Sequence, residues 1–285
     1  MTTQTVAPAS RKEPETPTPQ RRRSLVPDLH ERPEIALVPI VFVVVMTAWE
    51  FIPGWLGVDD FVLPTPSQIF QVFVDQLGQA AFWHNFWVTL QEAGAGFVLA
   101  TVLAVLIGTF VAQITVVERT VLPYIVAFQS VPKVALAPMF VVWFGFGMTS
   151  KIVMATIIAF FPILINVIAG LKSADNDKIE MLTSFGATRF QVFRMVRFPS
   201  ALPYIFAGLQ SGVVFAILGA IVGEYIGAQE GLGYQLMQAN YRFDIQAMFA
   251  VLIVLSIMGM IAHGVVKVCQ RRFVFWSGDQ SKRGT

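Results

Sequence analysis

The 285-residue sequence has little charge, three histidines and one cysteine, and these shortages exclude several classes of protein. Charged residues make up 13% of the chain and apolar residues 55%, a balance unlike that of a soluble domain. The lone cysteine, Cys269, cannot form an internal disulfide, and its place at the end of an apolar segment predicts a buried structural thiol. The composition therefore predicts a membrane protein without a redox role.

The common enzymatic motifs are also missing. His30, His84 and His263 are scattered and form no His-Glu-x-x-His pattern, and no serine or cysteine lies in a nucleophile motif. No Gly-x-x-x-x-Gly-Lys-Ser/Thr run occurs, since the nearest similar run, residues 145–151, has the wrong spacing. The sequence thus predicts a chain that is not an enzyme, does not hydrolyse ATP itself and holds no cofactor or metal. A polytopic membrane enzyme is an alternative class, and so is a secondary transporter or channel, although those usually show internal hydropathy repeats.

Six apolar segments are long enough to cross a hydrocarbon core, which needs about 20 helical residues. They predict an all-α polytopic membrane protein with six transmembrane helices. The third segment contains Pro132 and Pro138, so we expect it to be kinked or broken, which neighbouring helices can accommodate. The six predicted segments are residues 35–55, 89–114, 121–147, 151–171, 201–226 and 246–268.

Two tails flank the apolar region. Residues 1–34 are rich in proline, threonine and charge and lack apolar periodicity, so we expect a disordered cytosolic tail. The arginines at 21–23 precede the first apolar segment, and no convincing cleavage site follows it, which predicts an uncleaved signal anchor. Residues 35–270 form the predicted transmembrane domain, and residues 271–285 form a second cytosolic tail.

Basic residues indicate the orientation in the membrane. Of the 20 lysines and arginines, 17 fall in segments that the six predicted spans place on one side, whereas Lys151 and Arg242 lie on the other side and Lys133 lies within a span. Because basic residues concentrate on the cytosolic side, both termini and the loop between the fourth and fifth spans are predicted to be cytosolic. The 17 residues are Arg11, Lys12, Arg21, Arg22, Arg23, Arg32, Arg119, Lys172, Lys178, Arg189, Arg194, Arg197, Lys267, Arg271, Arg272, Lys282 and Arg283.

That loop, residues 172–200, is called the polar loop below. Asp177 is placed to cap a short helix with Glu180 at its third position, and Gly186 can adopt the left-handed conformation that ends such a helix. Apolar residues recur within the short helix, which predicts an apolar face that must be covered by something outside the bilayer. An alternative is an amphipathic segment that lies on lipid headgroups. The face consists of Ile179, Leu182 and Phe185.

A second short helix is predicted within the polar loop. Thr188 and Gln191 repeat the capping pattern, and Pro199 marks the expected end of the helix. The helix would be basic, because it carries Arg189, Arg194 and Arg197.

The spacing of Glu180, Gly186 and Pro199 resembles the EAA loop in the membrane subunits of bacterial ATP-binding-cassette importers. That loop reads Glu-Ala-Ala, three residues, Gly, nine residues, Ile-x-Leu-Pro, whereas here Met181 and Leu182 replace the two alanines. The resemblance implies that the polar loop is the coupling loop that contacts an ATPase. The residues to which it assigns this role are Glu180, Gly186, Ala187, Arg189 and Pro199.

Residues 130–138, 143–147 and 224–234 extend the resemblance, and they are similar to the nitrate/sulfonate/bicarbonate/taurine group of importer permeases. The resemblance implies a homodimer in the lipid of the bacterial inner membrane, without nucleic acid. It further implies two separate ATPase subunits that bind ATP and magnesium, and a periplasmic or lipid-anchored solute-binding protein. It favours a sulfonate, nitrate, bicarbonate or related anion as the solute. Permeases of the same fold take neutral or aromatic solutes, such as thiamine-pyrimidine precursors, riboflavin or aromatic acids, and this alternative stays open.

Four residues are candidates for the solute pathway. Lys133 follows a proline within a span, where a cation could attract an anionic solute. It could instead pair with Glu224 or with a backbone carbonyl that the proline leaves free. Gln129 and Trp143 lie on the same broken span and offer polar and aromatic contacts, and Glu224 precedes a glycine-rich turn that could form an external gate. Glu224 and Glu92 lie near the ends of their spans, where we expect carboxylates to reach water.

Overall fold

The computed structural model describes residues 34–276, and side chains from residue 37 onward. Every regular element in this part of the chain is helical, as the sequence predicts. A 3₁₀ turn, Lys133–Leu136, lies between the fourth and fifth helices, and a π-helical turn, Phe193–Arg197, lies between the eighth and ninth. The helices are α1 Glu34–Trp55, α2 Pro66–Leu77, α3 Ala80–Gln113, α4 Thr115–Ser130, α5 Ala137–Phe144, α6 Met148–Lys172, α7 Asn176–Ser184, α8 Arg189–Val192, α9 Phe198–Gly227, α10 Leu232–Tyr241 and α11 Ile245–Phe273.

The chain separates into two units, residues 1–48 and residues 49–285. Within the described residues, the first unit consists of the N-terminal part of α1. The predicted disordered tail, residues 1–34, lies outside the described residues except for Glu34, which begins α1. The predicted C-terminal tail is described only as far as residue 276, and α11 extends to Phe273 within it.

Five helical stretches are long and apolar enough to cross a membrane, and a bent pair of helices supplies a sixth. The pair, Thr115–Ser130 with Lys133–Phe144, turns through 77° at the predicted break. Val131 and Pro132 interrupt the helix there, because the proline has no N–H to donate to the preceding turn. The prediction of a broken third span among six is therefore confirmed, with the break between α4 and α5.

The fifth span differs from its prediction. A single helical stretch of 39 residues runs from Arg189 to Gly227, so Pro199 does not end a helix. Pro199 instead lies inside this stretch, immediately after a π-helical turn, in which the hydrogen bonds run one residue further back than in an α-helix. The π-helical turn before it widens the helix, and Phe198 N–H donates to the Phe193 carbonyl. Helices α8 and α9 are therefore parts of one continuous helical stretch.

Helices α3, α6 and α9 form the core of the second unit, and their backbones approach closely. A Cβ added at Gly96 of α3 would lie 2.4 Å from Cβ of Ala155. A Cβ added at Gly219 of α9 would lie 2.6 Å from Cα of Ala155. Ala155 of α6 is fully buried between them. Small residues commonly allow such close approach between membrane helices.

The close contacts also fix the directions of the three helices. Gly170 lies against Ala201, and Gly223 lies against Lys151, so α6 and α9 are antiparallel. Gly96 and Gly108 lie against Ala155 and Val167, so α3 and α6 are parallel. The end of the core at the polar loop is called the polar-loop end below, and the other is called the opposite end.

Helices α2, α10 and α11 pack against this core. Thr65 with Gln68 three residues later is a sequence pattern that predicts a capped helix start, and this cap forms at α2. Gln68 Oε1 accepts a hydrogen bond from Thr65 N at 3.1 Å, with Pro66 at the first helical position. Cys269 of α11 is exposed, so the prediction of a buried thiol is wrong. Val265 and Val268, which lie near Cys269 on α11, are also exposed, so this face of the helix points away from the core.

We expect Gly219→Ala to lower the stability of the folded chain by about 1 to 3 kcal/mol, because the added methyl group would overlap the α6 backbone. Gly259→Ala is a matched control, since a Cβ at that helical position of α11 meets nothing within 4 Å. Thermal unfolding of the detergent-purified variants measures the difference. Equal unfolding temperatures would contradict the close packing of α6 and α9.

Candidate functional site

The first helix of the polar loop begins two residues earlier than predicted. Asp175, not Asp177, is the N-cap of α7, and its carboxylate accepts a hydrogen bond from Asp177 N at 3.0 Å. Asp177 therefore lies in the first turn, where a negative charge favours the helix N-terminus. Glu180 lies in the middle of α7, and its side chain is exposed. The predicted reciprocal cap between Asp177 and Glu180 is wrong.

Gly186 ends α7 as predicted. Its φ angle is +80°, in the left-handed region that favours glycine. Gly186 N–H donates to the Thr183 carbonyl at 2.9 Å, and Ala187 N–H donates to the Leu182 carbonyl at 3.0 Å, which together form a Schellman cap. Gly186 thus fixes the direction in which the chain leaves α7.

The second helix of the polar loop also begins as predicted. Thr188 N–H donates to Gln191 Oε1 at 2.7 Å, and Gln191 N–H donates to Thr188 Oγ1 at 3.3 Å. Val192 and Val196 are buried, whereas Arg189 and Arg194 are exposed. This helix therefore packs on one side against the bundle and presents basic residues on the other.

Large apolar side chains of the polar loop are exposed. The predicted apolar face is divided, because Ile179 and Leu182 are half-buried whereas Phe185 is 82% exposed. An exposed apolar cluster next to basic residues is a feature of protein and membrane interaction sites. The cluster consists of Met181, Phe185, Phe190 and Met195.

At the broken span, the structure favours one of the alternatives for Lys133. Its Nζ donates to the Gln129 carbonyl at 2.8 Å and lies 5.0 Å from the centroid of the Phe161 ring. Within the described residues Lys133 forms no ion pair with Glu224, so that alternative is wrong. Gln129 and Trp143 are exposed, and Trp143 packs edge-to-face against Phe140. Lys133 and Gln129 therefore lie together at the break, whereas Trp143 lies near the other end of α5, where the neighbouring Val141 contacts Gly227.

Glu224 lies at the opposite end of the core and is fully buried, so the expectation that it reaches water is wrong. It accepts hydrogen bonds from Thr89 Oγ1 at 2.6 Å and from Gly233 N at 2.5 Å. Leu232 N–H donates to Thr89 Oγ1 at 2.8 Å. Gly231 N–H donates to Asn85 Oδ1, also at 2.8 Å. Side chains of α3 and α9 thus accept hydrogen bonds from the three successive backbone amides of residues 231–233. These bonds fix the glycine-rich turn that follows Glu224.

Glu92 and Lys151 were not among the residues predicted for the pathway, yet both lie beside Glu224. They are each 3% exposed. The Glu92 carboxyl interacts electrostatically with the Glu224 carboxyl, while its Oε2 has no donor among the described residues. Lys151 Nζ donates to the Phe146 carbonyl. Buried charge within apolar helices is the sequence signal that could have identified them, because such charge is costly.

A cavity of about 570 Å³ opens next to these charges at the opposite end. Glu92 and Lys151 line it, together with the exposed amides of Gln91 and Gln229 and the Phe146 ring. Glu224 lies behind Glu92 and is not part of the lining. Within residues 34–276, no group of three or more His, Cys, Asp or Glu side chains is arranged to hold a metal ion. The cavity therefore offers hydrogen-bond donors, acceptors and an aromatic surface.

The chain that forms this bundle, with its polar loop and its cavity, matches a known family of membrane transport proteins. Residues 100–275 match the family model of binding-protein-dependent transport system inner membrane components. The chain belongs to this family, and it is the permease of a binding-protein-dependent ABC importer. The predicted resemblance is confirmed. Members of this family are non-catalytic transmembrane subunits of such importers.

Several curated relatives cover most of the chain. The formylaminopyrimidine transport permease protein ThiX of Halalkalibacterium halodurans is 36% identical over 86% of this chain and 98% of its own length. The riboflavin transport system permease protein RibX of Chloroflexus aurantiacus is 33% identical over 93% and 98%. The taurine transport system permease protein TauC of Escherichia coli is 30% identical over 83% and 88%.

A solved structure with the same fold is the inward-facing MetNI methionine ABC transporter. Its matched chain has a TM-score of 0.59 and 24% identity, over 66% of this chain and 93% of that chain. At this identity the likeness supports the fold alone.

Gly231→Ala should destabilise the opposite end by about 2 kcal/mol or more. The φ angle of Gly231 is +106°, and an added Cβ would lie 2.3 Å from the Glu224 carboxyl carbon. Gly264→Ala is the control, since a Cβ there meets nothing within 4 Å. Hydrogen exchange of residues 228–235 should rise in the first variant only. Unchanged hydrogen exchange of these residues would contradict the role of Glu224 in fixing the turn.

Proposed function

We propose that two copies of this chain form the translocation pathway of the importer and move a small solute by alternating access. Two separate ATPase subunits bind ATP and magnesium, and their closure moves the polar loops so that the paired bundles open outward. Hydrolysis reverses the movement. The observation that carries this proposal is the match of residues 100–275 to the family of importer membrane components.

The polar loop is the proposed contact with the ATPase. Its two short helices have defined caps and directions, so they form a preorganised surface. The exposed side chains of Phe185 and Phe190 supply apolar area for a partner, and the neighbouring Arg189 supplies charge. Glu180, Gly186, Ala187, Arg189 and Pro199 are the residues proposed to couple the two subunits. Pro199 would act through the start of α9, because it does not end a helix.

The proposed orientation places the polar loop and both termini in the cytosol, as the distribution of lysine and arginine indicates. The opposite end, with the glycine-rich turn and the cavity, then faces outward. A solute-binding protein, periplasmic or lipid-anchored, would deliver its ligand at that end.

An uncharged or aromatic heterocycle is the proposed class of solute. The relatives whose names specify a pyrimidine or riboflavin are 36% and 33% identical to this chain, whereas the taurine permease is 30% identical. The resemblance to the nitrate and sulfonate group favoured an anion, and Lys133 was the cation expected to attract it, yet its ammonium is engaged by the Gln129 carbonyl and the Phe161 ring. A sulfonate remains the second candidate because of the taurine relative.

The coupling role of the polar loop can be tested at Gly186. Gly186→Val forces a β-branched residue into a left-handed conformation, so we expect it to lower recovery of the ATPase subunit in pull-down and to reduce ATP-driven uptake by about tenfold or more. Gly186→Asn is the matched control, because asparagine tolerates that conformation and a Cβ there meets nothing within 4 Å. Full recruitment and uptake with valine would reject the coupling role.

The orientation can be tested by cysteine labelling in a Cys269→Ser background. A cysteine at the exposed Lys178 should react with a membrane-impermeant maleimide only after spheroplasts are opened, whereas one at the exposed Val62 should react in intact spheroplasts. The reverse pattern would place the polar loop outside the cell.

A further inference from the structure

We propose that the cavity beside Glu92 and Lys151 is the solute-binding subsite of each permease copy, and that it takes an uncharged nitrogen heterocycle with both hydrogen-bond donors and acceptors. This assignment rests on the proposed importer function. It replaces the broken span, with Gln129, Lys133 and Trp143, as the place where the permease contacts its solute.

The size of the cavity suits a small ligand. Its volume of about 570 Å³ lies within the range of roughly 300 to 1,000 Å³ that is usual for ligand pockets. It is bounded by α3, α6 and the connections at residues 145–147 and 228–231. A pyrimidine or a flavin ring fits within that volume.

Two buried polar groups, a lysine ammonium and a carboxyl group, lie in its wall. Lys151 donates to the Phe146 carbonyl and forms no ion pair within residues 34–276, so its ammonium retains further donor capacity. The Glu92 carboxyl, also in the wall, offers acceptor capacity. A ligand that both accepts and donates would satisfy the two groups at once, as a ring nitrogen or carbonyl beside an N–H does.

The remaining lining suits a planar ring. Phe146 and Met148 provide apolar and polarisable surface, and the amides of Gln91 and Gln229 provide adaptable hydrogen bonds. His84 and Glu230 lie at the exposed rim, where His84 Nε2 and Glu230 Oε2 are 2.9 Å apart. The wall therefore combines apolar surface with several convergent polar groups, and such polar groups orient the ligand in binding sites.

The balance of charge disfavours an anion in this cavity. Lys151 is the one lysine or arginine that lines it, whereas Glu92 and Glu230 both carry carboxyl groups and Glu224 lies behind Glu92. A sulfonate or nitrate would therefore find one cation in the lining and carboxyl groups as its other neighbours. An uncharged ligand needs no second cation and still uses the lysine as a donor.

Ligand protection of introduced cysteines tests the site and the ligand class together. Single Gln91→Cys and Gln229→Cys variants, in a Cys269→Ser background, are assembled with the ATPase and the binding protein and labelled with a maleimide. The probes are riboflavin, a formylaminopyrimidine and taurine. We expect one of the two heterocycles, at about ten times its Kd, to slow labelling at both positions by about tenfold.

The control is Gln113→Cys, an exposed glutamine at the other end of α3, whose labelling should not change. Protection by taurine alone would overturn the ligand class, and protection by none of the probes would overturn the subsite. A second measurement separates failure of the subsite from failure of the importer function. An importer assembled with the unsubstituted chain should hydrolyse ATP faster when the loaded binding protein is added. Absence of that rise would contradict the proposed function itself.

Uptake kinetics give an independent readout. Gln91→Ala and Gln229→Ala should each raise the KM for the protecting heterocycle by about threefold to tenfold with little change in kcat, because each removes one hydrogen bond to the bound solute. Gln113→Ala should leave both parameters unchanged. Unchanged KM in both cavity variants would reject the subsite.

Discussion

The close approach of α3, α6 and α9 around Ala155 determines where the buried polar side chains and the cavity lie. Gly96 and Gly219 bring two backbones against this residue, and no larger side chain fits at either glycine. Glu92 precedes Gly96 by one helical turn, Lys151 precedes Ala155 by one turn, and Glu224 follows Gly219 by slightly more than one turn. Because α9 is antiparallel to the other two helices, all three charges lie at one level near the opposite end. Packing of small residues thus creates the buried polar group and the cavity beside it.

The two candidate sites lie at opposite ends of the same helices. Lys151 and Lys172 lie near the two ends of α6, and an ideal helix between them spans about 30 Å. Lys172 also forms an ion pair with Glu118 in the first turn of α4, which joins the start of the polar loop to the broken span. A movement of the polar loop can therefore reach the cavity by displacement of whole helices, and the tight core favours such rigid-body motion over local deformation.

Features determined by local chemistry were predictable from the sequence. The caps at Thr65 and Thr188, the exit at Gly186 and the break at Pro132 depend on residues a few positions apart, and each was confirmed. Asp175 and Asp177 are equivalent by local rules, so the choice between them required the structure. The π-helical turn before Pro199 was not predictable, because it depends on burial of Val192 and Val196 against the bundle.

The cavity depends on tertiary register, which a single sequence does not reveal. Thr89 and Glu92 of α3 are far along the chain from Lys151 of α6 and from Glu224 of α9, and only the packing of the three helices brings them together. Lys133 was the more conspicuous charge because of its neighbouring prolines, yet its ammonium is satisfied locally by Gln129 and Phe161. A lysine or glutamate within a span is costly to bury and therefore draws attention, but that cost alone did not identify Glu92 and Lys151, which converge beside Glu224.

The proposed alternating access by two copies of the chain predicts opposite changes in the distance between the copies at the two ends of the bundle. Spin labels at the exposed Lys178 of the polar loop and, in a separate variant, at the exposed Tyr241 of the opposite end report the two faces of the assembled importer. On trapping with ATP, the distance between the Lys178 labels should shorten and the distance between the Tyr241 labels should lengthen. Distances that stay the same at both positions, or that change at the polar loop alone, would contradict the account.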